Sequence, residues 1–272
     1  MGVFTHRHQV RQKAKSQLQS ILENSRNVVI IHYSCESFYN RPDGSSPRIT
    51  SIAVRNLDSG QTASFSIHQV AERKNVPHED IVNQYNKLER TMLDDFYNYV
   101  KIHKNCTWLH WNMRDINFGF AALAHRYRVL GGKPCDVHES QLCDLARLMK
   151  GMFGPKYVDD PRLTKLMQLN GISDRDFLTG QQEAEAFDQK EYVKLHQSTL
   201  RKVDVMSSIV GRLADGTVKT NSGWQEIHGN RLCYFAEVAK DHPIGAVISL
   251  LASVLGIVAF IIMCSKMVER SP

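Results

Sequence analysis

The sequence predicts an α/β domain with a mixed sheet, followed by one C-terminal transmembrane helix, and three observations carry that reading. NVVIIHYS (27–34) is a short apolar run rich in β-branched residues, the pattern of a strand buried on both faces. RITSIAVRN (48–56) and QTASFSIHQ (61–69) flank LDSG, which predicts two antiparallel strands joined by a tight turn. From Ile244 to Cys264 the chain reads IGAVISLLASVLGIVAFIIMC without a charge. At about 1.5 Å per residue, a helix of that length spans roughly 30 Å, the thickness of a bilayer's hydrocarbon core.

The remaining elements follow from periodicity. Residues 8–24 carry a thin apolar stripe (Val10, Leu18, Ile21, Leu22) at helical spacing in a basic, polar segment. RPDGSSP (41–47) is a turn-rich loop. HEDIVNQYNKLERTMLDDFYNYVKIH (78–103) places Ile81, Tyr85, Leu88, Met92 and Phe96 on one face of a long amphipathic helix. CTWLHWN (106–112) predicts a strand, and FGFAALAHRYRVLG (118–131) a helix stopped by Gly131 and Gly132. SQLCDLARLMKGMFG (140–154) reads as a further helix. Short helical pieces are predicted at Leu163–Leu169 and Glu183–Phe187, and a long one over 189–216, ending near Gly216. The predicted organisation is a basic N-terminal helix (1–25), an α/β domain (26–215), a juxtamembrane linker (216–243), the span (244–264) and a short tail (265–272).

Composition narrows the function classes. No apolar run follows Met1, the chain opens with the basic, polar HRHQVRQKAKSQLQS, and the domain before the span is rich in Lys and Arg, so the polar domain is expected on the cytoplasmic side. The six cysteines form no C-x-x-C pair and are expected to be reduced thiols, with Cys264 at the membrane boundary. The histidines lack the spacing of a zinc site. There is no Walker-type GKS/GKT, G-x-S-x-G, H-E-x-x-H or G-x-G-x-x-G. A net charge of +6 suits an anionic partner, nucleic acid or lipid headgroups. The cations cluster at Arg7, Arg11, Lys13 and Lys15, at Arg126 and Arg128, and at Arg201 and Lys202.

Three segments carry a resemblance. VVIIHYSCES, WLHWNMRDINFGF and STLRKVDVMSSIV, in that order, resemble the three motifs of the DEDD-type 3′–5′ exonucleases over roughly residues 26–212. The resemblance implies a ribonuclease H-like mixed sheet flanked by helices. It also implies two-metal phosphodiester hydrolysis, with Mg²⁺ or Mn²⁺ held by carboxylates on adjacent strand and helix ends. Carried over residue by residue, the metal ligands would be Glu36, Asp115 and Asp204. Asn112, Arg114, Arg201 and Lys202 would lie where nucleic acid binds.

The chain departs from that family at three points, the first being the Asn112-to-Asp115 spacing of the middle motif, which is one residue shorter than usual. Ser34 stands in place of the first, metal-bridging Asp, and Thr199 and Leu200 stand where a His or Tyr would activate the attacking water. Read without the resemblance, Glu36 is a loop acid, Asp115 an N-cap and Asp204 a solvated helix residue balancing Arg201 and Lys202. Trp108, Trp111 and Tyr127 are either base-stacking or core aromatics. Two functions therefore compete. One is a membrane-anchored exonuclease-like protein that binds nucleic acid or cleaves it weakly with metal. The other is an inactive relative that serves as a protein-interaction platform at the membrane. Small residues Ser249, Ala252, Ser253 and Gly256 in the span would permit close helix approach and homo-oligomers.

Overall fold

The computed structural model describes residues 2–36, 46–114 and 117–229. The span and its tail, predicted at 244–272, lie outside the described residues, as do Cys233 and Cys264. Among the described residues no helix is long and apolar enough to cross a membrane.

Five strands form one sheet in the order β3-β2-β1-β4-β5. They are β1 (Val28–Cys35), β2 (Ile49–Asn56), β3 (Thr62–Ser66), β4 (Thr107–His110) and β5 (Leu142–Asp144). β1, the apolar run, is central and buried throughout. It pairs antiparallel with β2 and parallel with β4, and β4 pairs parallel with β5, so the sheet is mixed. The hairpin forms as predicted, with Arg55 facing Thr62 at the turn. Asn56 closes that turn, its side-chain oxygen accepting the backbone N–H groups of Asp58 and Ser59.

Nine helices are defined among the described residues: α1 (Gly2–Glu23), α2 (Ile67–Arg73), α3 (Tyr85–Ile102), α4 (Phe120–Val129), α5 (Leu145–Phe153), α6 (Arg162–Leu169), α7 (Gly180–Asp188), α8 (Tyr192–Ala214) and α9 (Trp224–His228). They cover both faces of the sheet. One core holds Val29, Ile31 and Tyr33 of β1 against Leu88, Met92 and Phe96 of α3. The other holds Val28 and Ile30 of β1 against Leu18 of α1, Leu148 of α5 and Met206 of α8. Alternate residues of β1 thus serve opposite cores, the geometry of a strand buried on both faces.

Three predicted elements differ. The second hairpin strand ends at Ser66, and Ile67 begins α2, because Ile67, Val70 and Ala71 bury one helical face that a strand would split between two. The helix predicted over 140–154 begins with the edge strand β5. Asp144 then caps α5, its carboxylate accepting the backbone N–H of Ala146 at 2.9 Å. The linker from residue 216 contains α9, which packs on α1 and α5. Among the described residues, Cys35, Cys106, Cys135 and Cys143 are free thiols. Trp108, Trp111 and Tyr127 are buried core residues.

Candidate functional site at the end of the first strand

His32 and Ser34 lie on the face of β1 that α8 covers. α8 crosses β1 and β2 with Thr199 beside Ser34, His196 beside Ser51, and Asp204 toward Arg55 at the far end of β2. Ser34 and Ser51 are register partners, so two small residues lie side by side beneath the helix.

A buried polar cluster fills this corner. The Ser34 hydroxyl donates to Glu183 Oε1 at 2.9 Å and shares a 2.8 Å hydrogen bond with Thr199. Ser198 donates to the same Glu183 oxygen at 3.1 Å while accepting the backbone N–H of Leu178. Lys202 Nζ sits 2.7 Å from that oxygen. Glu183 is wholly buried and Lys202 nearly so. One carboxylate oxygen therefore receives an ammonium and two hydroxyl donors, while Oε2 is buried without a hydrogen-bond partner. The Phe177 ring covers the ammonium from 5.4 Å.

Histidines line the rest of this face. His32 is buried with both ring nitrogens unpartnered, and burial, with the Lys202 charge adding, holds its pKa well below the usual histidine value. His196 bonds Ser51 through Nδ1 at 3.1 Å and meets the His68 ring edge-on. Burial, assisted by His68, lowers its pKa to about 4. These imidazoles are neutral at neutral pH.

The predicted ligands do not converge on this cluster. Glu36, just past β1, is held by Arg48 in a two-pronged pair, with Oε1–Nη2 at 2.8 Å and Oε2–Nε at 3.1 Å. Arg48 also lies against the Tyr85 and Phe187 rings, which meet edge to face, each 4.9 Å away. Asp204 pairs with Arg201 one helical turn back and lies 4.0 Å from Arg55, the solvated balance predicted for it, with Arg201 as the partner. Arg48 and Arg55 stand at opposite ends of β2, roughly 20 Å apart at strand rise, so Glu36 and Asp204 do not share a cation. Asp115 lies outside the described residues. No group of three His, Cys, Asp or Glu among the described residues could hold a metal ion. Ser34 faces an ammonium–carboxylate pair, and that donor set does not fit a divalent cation.

The predicted nucleic-acid residues are also separated. Lys202 is buried in its ion pair, a correction that follows from its position on the buried face of α8 with Leu195, Ser198, Thr199 and Met206. Arg201 is committed to Asp204 and to the Ser173 carbonyl. Asn112 and Arg114 are exposed together beyond β4, bonded to each other at 2.8 Å. Arg114 Nε also reaches Asp144 Oδ2 at 2.6 Å. Beside them, burial lowers the pKa of His110 to about 4; Asp144 pulls it upward, and Arg114 and Arg147 oppose that pull.

Sequence reasoning missed Glu183 and Asp144. Glu183 had a legible signal, because it shares the buried face of α7 with Ala186 and Phe187 at i, i+3 and i+4. A carboxylate on an apolar stripe, with an ammonium on the apolar stripe of the next helix, is the pattern of a buried ion pair. No protein-family model, curated protein or solved structure matches this chain.

Proposed function

We propose that this chain is an exonuclease-like domain of the ribonuclease H-like class whose metal centre has become a buried ion pair, and that it works as a non-catalytic platform for protein interaction at a membrane. One observation carries the reading: the Lys202 ammonium lies on Glu183, which also binds Ser34, the residue standing where the resemblance puts the bridging Asp. A buried ammonium supplies the positive charge that a metal would otherwise bring, but it cannot polarise a water or accept a phosphate oxygen as a ligand. The order of the five strands, with the apolar first strand central, supports the fold class. The uncharged run 244–264 supports a single span, and the Lys/Arg-rich domain before it supports a cytoplasmic side for that domain.

Two measurements test the proposal. Mg²⁺ and Mn²⁺ are expected to leave the melting temperature of the protein unchanged, since no state-specific site adds binding energy. Single-stranded DNA and RNA are expected to stay intact with either ion. Cleavage that is lost in both Glu36→Gln and Asp204→Asn would overturn the platform reading and restore a nuclease.

A further inference from the structure

The chain leaves the described domain through α9, and that end of the molecule has a definite chemistry. Arg7 of α1 ties three elements together. Its guanidinium donates to the carbonyls of Gly151 and Met152 at the end of α5, at 2.5 and 2.9 Å, and to the Glu226 carbonyl of α9 at 2.9 Å. Arg11 adds a 3.3 Å contact to His228. The backbone at Gly154 lies against Glu226, and the Tyr157 carbonyl accepts the N–H of Asn221, so 154–157 borders the same patch. Lys150, Lys156 and Lys219 are exposed in the segments that adjoin it, with Asp159 and Asp160 exposed just beyond Lys156. Among them Trp224 is 41% exposed, a large aromatic at the surface of a chain whose other two tryptophans are buried. Glu226 is the acid of α9, and its charge faces Arg7.

We propose that this end is a membrane-apposed face: Trp224 enters the headgroup layer of an anionic bilayer while Lys150, Lys156 and Lys219 meet the lipid phosphates. The inference rests on the reading of 244–264 as a span. Residues 230–243 separate α9 from that span, and fourteen residues reach no further than roughly 50 Å however they are arranged. The exit face is thus the part of the domain held nearest the lipid. An indole with a cationic surround is the combination that partitions into a negatively charged interface.

The test uses the full chain reconstituted into phosphatidylcholine vesicles, with and without phosphatidylserine. Tryptophan emission is compared with that of Trp224→Phe, which removes the one exposed indole. In anionic vesicles the Trp224 component is expected to shift to the blue and to lose acrylamide quenching severalfold. Brominated lipid should quench it, and raised salt or Lys150→Glu with Lys156→Glu should return it to water. Equal acrylamide access in both vesicle types, with protein retained after an alkaline carbonate wash, overturns the face while leaving the span intact. Protection that is the same in neutral lipid and insensitive to salt points to a protein contact and also overturns it. Release of the protein by carbonate overturns the span reading, and the face with it.

Discussion

At the scale of single residues, the Glu183–Lys202 pair is the most consequential feature. Burying two opposite charges adds little net stability, but removing one partner leaves the other uncompensated in an apolar site. Lys202→Met is therefore expected to cost about 3–5 kcal/mol. Glu183→Gln with Lys202→Met should cost much less than the two single losses together, and urea denaturation of the three variants reads the difference. The histidines beneath α8 set a pH dependence. His196 titrates near 6.5 in the unfolded chain and at about 4 in the folded one, so the unfolded state takes up its proton first. Stability is full above about pH 6.5 and falls as the pH drops from there toward 4, by about 3 kcal/mol from His196 alone. His32, shifted in the same direction, steepens the fall. Unfolding midpoints measured between pH 7 and 5 should decline, and His196→Asn, which keeps a hydrogen-bonding group near the Nδ1 position, should flatten the slope.

At the scale of elements, the junction of α1, α5 and α9 depends on close approach. A Cβ on Gly151 would meet the Ala14 Cβ at 2.8 Å, so Gly151→Val must push α1 off α5. Overpacking of this kind costs about 1–3 kcal/mol. Hydrogen exchange is expected to quicken in α1 and α9 together while β1 keeps its protection. An unchanged α9 would show that α5 holds it without Arg7. The strand β5 shows why some elements escape a reading by periodicity. Its three residues, Leu142–Asp144, are too few to display alternation, and the helical stripe of α5 begins directly after them. β5 exists because β4 offers a free edge in register, Trp108 against Leu142 and His110 against Asp144.

At the scale of the whole molecule, both cores close within the described residues, with β1 contributing to each. A chain ending at Gly229 is therefore expected to fold and to unfold in one urea transition, at the midpoint of the full chain's domain. Loss of cooperativity would mean that residues beyond 229 complete a core. Ser34→Asp tests the corner against the whole fold. A second carboxylate beside Glu183 shares a single ammonium, so the variant should lose stability, and Mn²⁺ should not restore it. A Mn²⁺-dependent gain in melting temperature would instead show that the corner can accept metal.

The central strand, the hairpin and the long helices α3 and α8 were legible in the chain alone, because each rests on a local period or turn signal that neighbours reinforce. The sequence also carried the solvated pairing of Asp204 with Arg201, an i, i+3 contact within one helix. Only the tertiary structure decided the site. Glu183 and Lys202 are nineteen positions apart and Ser34 is far from both, so no spacing rule could bring them together. They meet because α7 and α8 fold back over β1. Once they are buried there, the low local dielectric forces the carboxylate to find an ammonium.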